Sequence, residues 1–241
     1  ALLNAVKLRG TPLEELHVTI NGGGAAGVAV TKLLLALGIK DIVVCDRAGA
    51  IYHGRKEHMD FSKLEIAELT NPELRTGNLV EVIRGADVFI GLSAPGVLTV
   101  EMVRTMAKDP IVFALANPTP EIMPNLAREA GAFAIATGRS DFPNQVNNSL
   151  AFPGVFRGAL DVKAREVNDQ MKLAAAQAIA SLMLPGQLTT ENLIPDSLDL
   201  RVPPRVAAAV ARAAIETGVA QLQIDPAQVE AHCRDLVYEN A

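Results

Sequence analysis

The sequence predicts an α/β fold in which a doubly wound, mostly parallel sheet carries helices on both faces and is followed by a helical C-terminal extension. Three observations lead to this prediction. Short apolar runs, typical of buried parallel strands, alternate with helical segments. A glycine-rich turn joins the first of these runs to a helix. After residue 138 the alternation ends, and a long polar loop leads into helical segments.

Each element follows from a local pattern of apolar residues and of residues that typically begin or end helices and strands. The predicted strands are 18–20, 41–45, 87–91, 111–115 and 133–136, with a short extended piece within 47–54. The predicted helices of the sheet region are 28–37, 61–69, 79–84, a segment from Thr99 to 106, and 124–130. Asn78 and Thr99 are residue types that cap helices. The later helices are expected at 167–184, 203–217 and 226–239, and residues 1–8 have the spacing of a helix end.

The turn after the first strand contains G-x-G-x-x-G, formed by Gly22, Gly24 and Gly27. The first glycine allows a sharp turn, the second lets a pyrophosphate approach the backbone, and the third lets helix and strand pack closely. The free N–H groups at the N-terminus of the following helix favour phosphate charge together with the helix dipole. This order of strand, glycine turn and helix is typical of a Rossmann-type dinucleotide site. The alternative is a glycine-rich turn that binds no ligand.

The second strand ends at Asp46, nineteen residues after Gly27. A carboxylate at this place can accept hydrogen bonds from the adenosine ribose, so the site is interpreted as one for a nicotinamide dinucleotide. Asp46 favours NAD because it repels a 2′-phosphate, whereas the neighbouring Arg47 could neutralise and bind that phosphate. NAD is therefore the preferred prediction, with NADP left open.

Composition argues against several other classes of protein. The net charge of the 241 residues is −5 and no basic cluster is present, so nucleic acid is not an expected partner. No apolar run approaches the ~20 residues that span a bilayer, and no membrane partner is expected. Cys45 and Cys233 form no disulfide framework, which favours the cytoplasm. The four histidines are scattered without metal-ligand spacing, and neither a G-x-S-x-G elbow nor a P-loop occurs.

Loops at the carboxyl ends of the strands carry the remaining candidate ligand residues, because doubly wound sheets bind ligands there. Asn117 directly follows a strand, which would place its amide near the nicotinamide. Alternatively, Asn117 only begins an Asn-Pro turn, and the sequence favours neither interpretation. Asn147 and Asn148 could hold a small dicarboxylate or could satisfy loop backbone. Ser93 is interpreted as a hydroxyl of a cofactor loop.

The polar loop 138–148 carries two charges whose role is left open. Arg139 and Asp141 either contact a ligand or are solvated.

Several motifs together form a recognisable set: Ile20–Gly27, Val43–Arg47, Gly85–Gly91, Ser93–Gly96, Phe113–Glu121, Ala136–Asn148 and Phe152–Gly154. They closely resemble the NAD(P)-binding half of bacterial malic enzymes. The resemblance covers nearly the whole chain and weakens after about residue 185. Residues 1–241 are accordingly predicted to be an NAD(P)-binding domain, with a Rossmann core at about 10–153 and a helical extension at about 154–241.

Malic enzymes oxidise L-malate with NAD or NADP and decarboxylate the product to pyruvate and CO2, aided by Mg or Mn. The resemblance implies that Asn117 and Asn148 help to hold malate. It also implies a set of cofactor contacts, namely Gly22, Gly24, Ala25, Ala26, Gly27, Asp46, Arg47, Ser93, Ala94 and Asn117.

In the family the general base Lys, the general acid Tyr and the acidic metal ligands lie upstream of this region, and no counterpart is found here. We therefore expect no catalytic residue and no metal ligand in this chain, which alone would bind a dinucleotide without turnover. Its expected partners are an upstream catalytic domain of the same protein and, as in the family, a second copy or more.

Two alternatives remain open at this point. One is a dinucleotide-binding module without chemistry of its own. The other is a different NAD(P)-dependent dehydrogenase, for an amino acid or a hydroxy acid, which would need a Lys, His or Tyr near the nicotinamide. Loops 93–96, 117–120 and 138–148 contain none of these residue types.

Overall fold

A computed structural model describes residues 1–238, and the chain divides into two compact units. The sheet unit is Ala5–Val146, and the helical unit combines Ala1–Asn4 with Asn147–Ala241. The predicted boundaries of the Rossmann core and of the helical extension stay predictions. The predicted end of the last helix, Glu239, lies outside the described residues.

The sheet unit contains a sheet of six strands in the order β3-β2-β1-β4-β5-β6. The strands are β1 (His17–Asn21), β2 (Asp41–Asp46), β3 (Gly49–Ala50), β4 (Val88–Gly91), β5 (Ile111–Ala114) and β6 (Ala134–Thr137). All neighbours pair in parallel except β3, which is the predicted short extended piece and runs antiparallel to β2. The predicted mostly parallel, doubly wound sheet is confirmed.

The strands are apolar because the sheet is covered on both faces. Val18 of β1 pairs with Ile42 of β2 on one side and with Val88 of β4 on the other, and all three side chains are fully buried. The strand order reverses at β1. The chain first places β2 beside one edge of β1 and later places β4 beside the other edge. Such a reversal opens a crevice at the carboxyl ends of β1 and β4, where sheets of this type bind ligands.

Helices precede and connect these strands. They are α1 (Leu2–Arg9), α2 (Ala25–Ala36), α3 (Phe61–Leu69), α4 (Leu79–Val82), α5 (Val100–Arg104) and α6 (Pro124–Glu129), of which α1 is shared between the two units. Asn78 and Glu81 form a capping box at α4, and the Thr99 hydroxyl accepts from the Met102 N–H at α5. Both predicted caps are confirmed.

The helical unit is built around α9 (Val202–Glu216), against which its neighbours α7 (Phe152–Asp161), α8 (Asp169–Ser181) and α10 (Pro226–Tyr238) pack. Helix α7 was not predicted, because Phe152–Gly154 reads as the end of a loop. Pro and Gly have poor helix propensity, but Pro153 lies in the first turn, where it is tolerated. Packing of the apolar face of α7 on α9 decides the local conformation.

The spacing of Val229, Cys233, Leu236 and Val237 predicts one apolar face of α10 that packs in the core, and this prediction is partly wrong. Val229 and Cys233 are buried in the core of the helical unit, and Val237 packs partly against it. Leu236, however, is 40% exposed. Over the part of the chain that the structure describes, no helix is both long and apolar enough to cross a membrane.

Candidate functional site

A cleft of about 1110 Å³ opens at the carboxyl ends of β1, β2 and β4. This volume suits an extended ligand, since ordinary small-molecule pockets measure roughly 300–1,000 Å³. Predicted cofactor residues from three separate loops meet on its walls, namely Gly22, Gly24, Asp46, Arg47, Ser93 and Ala94. The cleft therefore lies at the place where the strand order reverses, as the glycine motif predicts.

The glycine turn brings the start of α2 against the end of β1. A Cβ atom on Gly27 would lie 1.7 Å from the carbonyl oxygen of Gly22, so only glycine fits there. A Cβ on Gly24 would meet no atom within 4 Å, which shows that the space in front of the turn is open. Ala25 and Ala26 are exposed in the first turn of α2, whose N–H groups lack partners within the helix and can receive an anion.

Asp46 lies in the cleft within a cluster of cationic side chains. Its carboxylate accepts from Arg55 Nη2 at 2.9 and 3.0 Å, from Lys63 Nζ at 2.8 Å and from the Ala48 N–H at 2.9 Å. These contacts take up both oxygens of the group. Any further donor to Asp46 would therefore have to share or replace one of these donors, of which the Lys63 ammonium stands on the more flexible stem.

The same contacts control the charge of Asp46. Burial raises the pKa of Asp46, but the hydrogen bonds from Lys63 and Arg55 outweigh it and hold this pKa below its usual value. Asp46 is thus ionised at neutral pH, with its negative charge balanced by two neighbouring cations. Arg47 is exposed beside it and lines the cleft, where a phosphate could reach it.

Ser93 is held from two sides by residues that sequence reasoning missed. Asn21, the last residue of β1, donates from Nδ2 to the Ser93 hydroxyl at 2.7 Å. The buried carboxylate of Glu121 accepts from the Ser93 N–H at 2.9 Å. The sequence does mark Asn21 as a candidate, since it is a polar residue at the end of an apolar strand. Nothing in the sequence except their charge marks Arg55, Lys63 and Glu121 as site residues.

The predicted substrate residues lie in different units. Asn117 follows β5 in the sheet unit, is exposed, and packs against Gly138, where a Cβ would lie 3.0 Å from its Oδ1 atom. Asn148 begins a 3-10 turn in the helical unit and is also exposed, while Asn147 caps that turn through the Ser149 N–H. A role for Asn117 and Asn148 in holding malate stays a prediction.

The two charges of the polar loop bind each other. Arg139 donates from Nε and Nη2 to Asp141 at 2.8 and 2.7 Å, and its guanidinium lies 5.4 Å from the centre of the Phe142 ring. This pair is exposed and needs no ligand to be satisfied. Across residues 1–238, no group of three or more His, Cys, Asp or Glu side chains is arranged to hold a metal ion.

Comparison with known proteins agrees with this geometry. A family model described as malic enzyme, NAD-binding domain, matches residues 1–215. The bifunctional malic/malolactic enzyme of Bacillus subtilis (strain 168) is 57% identical over 235 residues, which cover 98% of this chain and 57% of that protein. The NAD-dependent malic enzyme of Geobacillus stearothermophilus is 54% identical over 220 residues, covering 91% of this chain and 46% of that protein.

A solved structure shows the same fold. The malic enzyme from Pyrococcus horikoshii superposes with a TM-score of 0.94 at 41% identity, over 100% of this chain and 57% of that one. The chain thus spans about half the length of the curated relatives it matches. The resemblance inferred from the sequence motifs is confirmed, and a dehydrogenase of another family is no longer supported. With a glycine-turn cleft in place and a family match over most of its length, the chain belongs to the malic enzyme family, of which it is the NAD-binding domain.

Proposed function

We propose that this chain binds NAD or NADP as part of a malic enzyme that oxidises L-malate and decarboxylates the product to pyruvate and CO2. The single observation that supports this most is the cleft at the reversal of the strand order, where the glycine turn, Asp46 and Ser93 converge. The family match supplies the reaction. The bound dinucleotide would accept the hydride removed from malate.

We propose a definite direction for the dinucleotide in the cleft. The first turn of α2, at Ala25 and Ala26, would bind the pyrophosphate, with Gly24 leaving the room that it needs. Asp46 and Arg47 would recognise the adenosine ribose. Ser93 and Ala94, at the end of the neighbouring strand β4, would hold the other half of the cofactor, toward Asn117 after β5.

We propose that the site accepts both cofactors, with the preference set by the cations around Asp46. An isolated Asp46 would repel a 2′-phosphate, but Arg55 and Lys63 balance its charge. NAD can hydrogen-bond to the carboxylate through its ribose hydroxyls, whereas the phosphate of NADP can bind Lys63 and Arg47.

The divalent metal that such an enzyme uses does not fit the described residues of this chain alone, which form no cluster of acidic or other ligands for it. We therefore propose that the metal ligands, the general base and the general acid belong to the part of a full-length malic enzyme that this chain does not span. A homodimer or larger assembly, and malate as substrate, are proposed on the same basis. The two cysteines, Cys45 and Cys233, are free and buried, which supports a cytoplasmic protein.

A calorimetric titration of the purified chain with NAD and with NADP tests the cofactor site. We expect one site per chain for each cofactor, and no pyruvate from L-malate when Mn and cofactor are added. Binding of neither cofactor by folded protein would contradict the dinucleotide site. Turnover of malate by the chain alone would contradict the proposal that the catalytic groups lie elsewhere.

A further inference from the structure

Glu121 is a fully buried carboxylate at the carboxyl end of the sheet, and none of the roles proposed above uses it. Its Oε1 atom accepts from the Ser93 N–H at 2.9 Å, and its Oε2 atom accepts from the Ala116 N–H at 3.0 Å. Ser93 follows β4 and Ala116 follows β5. One side chain thus joins the loops that leave two neighbouring strands.

The backbone around Glu121 strengthens this connection. The Leu98 N–H donates to the Glu121 carbonyl oxygen at 3.1 Å, and the Gly96 N–H donates to the Pro120 carbonyl oxygen at 3.2 Å. The loop that begins at Ser93 is therefore attached to the 120–121 segment at its far end as well as at its start. Movement of one segment has to be accompanied by movement of the other, or these hydrogen bonds are lost.

Gly91, the last residue of β4, provides the space for the carboxylate. A Cβ atom on Gly91 would lie 2.3 Å from Cδ of Glu121 and 2.6 Å from its Oε1 atom. Strand β4 therefore has to end in glycine if the carboxylate is to reach both N–H groups. The arrangement is specific, since a carboxylate has two acceptor oxygens and meets a backbone donor with each.

We propose that Glu121 is a positioning residue that couples the cofactor loop, 93–96, to Asn117. It contacts neither cofactor nor substrate in this proposal. It holds the Ser93 amide on one side and, on the other, the amide of Ala116, which immediately precedes Asn117. Binding of the dinucleotide at Ser93 is thereby transmitted to the residue proposed to hold malate. This inference rests on the proposed function, because it takes Ser93 to be a cofactor contact.

The test uses ADP-ribose, which lacks the nicotinamide and therefore cannot touch Asn117 through that ring. In the unaltered chain, ¹⁵N NMR titration with ADP-ribose is expected to shift the amide signals of both Ser93 and Ala116. In Glu121→Gln, one oxygen is replaced by an NH2 group that faces an N–H donor. We expect the Ala116 shift to be lost and the dissociation constant for ADP-ribose to rise about fivefold, because a loop that is no longer held in place has to be ordered when the ligand binds.

Asp87→Asn is the matched control. The Asp87 carboxylate also joins two neighbouring strands, since it precedes β4 and accepts from the His17 N–H of β1 at 2.9 Å, but at the opposite end of the sheet. It also binds Arg9. We expect this variant to be less stable to urea while its dissociation constant and its Ala116 shift stay those of the unaltered chain.

Two results would overturn the coupling: unchanged ADP-ribose binding in Glu121→Gln, or a Ser93 shift without an Ala116 shift in the unaltered chain. The second result needs no variant, so the proposal can be refuted even if Glu121→Gln does not fold. Failure of the unaltered, folded chain to bind ADP-ribose or NAD at all would instead refute the proposed function, and with it this inference.

Discussion

Among single residues, Lys63 is the one that we expect to distinguish NADP from NAD. Its ammonium and the Arg55 guanidinium both bind Asp46, and the side chains of all three residues are largely buried. Arg55 also donates to the carbonyl oxygens of Gly49, Ala50 and Glu57, whereas the Lys63 ammonium donates to one other acceptor, the His58 carbonyl oxygen. We therefore infer that, of the two cations, Lys63 is the one that can leave Asp46 to bind a phosphate.

Lys63→Met is expected to weaken binding of NADP about tenfold and to change binding of NAD about twofold or less. A hydrogen bond to a charged group contributes roughly 1.5–3 kcal/mol, and about 1.4 kcal/mol corresponds to a tenfold change in affinity. Calorimetric titration with both cofactors measures the difference. Lys56→Met removes the same charge from an exposed position in the preceding loop and should leave both affinities unchanged. Equal losses for NAD and NADP in Lys63→Met would argue against a phosphate contact.

For the elements, capping side chains define where helices begin. Asn168 precedes α8 and accepts from the Met171 N–H at 3.0 Å, while its Nδ2 atom donates to the Thr217 hydroxyl at 2.9 Å. One side chain thus satisfies a free donor of α8 and ties its start to the end of α9. The helix also buries Met171 and Ala175 in the core of the helical unit, so its position depends on this start.

Asn168→Ala is expected to lower the free energy of unfolding by about 1 kcal/mol, the usual effect of losing an N-cap. Urea unfolding followed by circular dichroism gives this value. Lys172→Ala lies in the same helix and removes an exposed ion pair with Asp169, which contributes little, and should change stability by about 0.5 kcal/mol or less. If both variants unfold at the same urea concentration, the Asn168 cap does not stabilise the protein.

For the whole molecule, we expect His17, at the opposite end of the sheet from the cleft, to contribute to the pH dependence of stability. The His17 Nε2 atom accepts from Arg75 Nη1 at 3.0 Å, which requires a neutral ring. Burial lowers the pKa of His17; the carboxylates of Asp41 and Asp87 oppose this shift, and Arg75 adds to it. The unfolded chain therefore takes up a proton at a pH where the folded chain does not.

Stability is accordingly expected to decrease as the pH falls from about 6.5, the ordinary histidine pKa, through the lower pKa of the folded state. His17→Gln should show a smaller decrease over that window, because glutamine does not titrate. Urea unfolding at a series of pH values between about 5 and 8 measures the slope. His53→Gln, at an exposed histidine paired with Glu68, should keep the slope of the unaltered chain. A slope that His17→Gln leaves unchanged would assign the pH dependence to other groups.

The sequence by itself determined the sheet, the glycine turn and the family. Apolar periodicity and caps such as Asn78 act between near neighbours in the chain, and therefore they can be read directly. Helix α7 was missed because Pro153 and Gly154 have poor propensity, and contact with a distant helix overrides it.

Only the tertiary structure decided which polar groups meet in the site. Asn21 and Ser93 are 72 residues apart, and Ser93 and Glu121 are 28 apart. Each pair meets because parallel strands place their carboxyl ends at one edge of the sheet. No local pattern distinguishes a glutamate that will be buried between two loops from one that will be solvated, since burial depends on which strands become neighbours and on the room that Gly91 leaves.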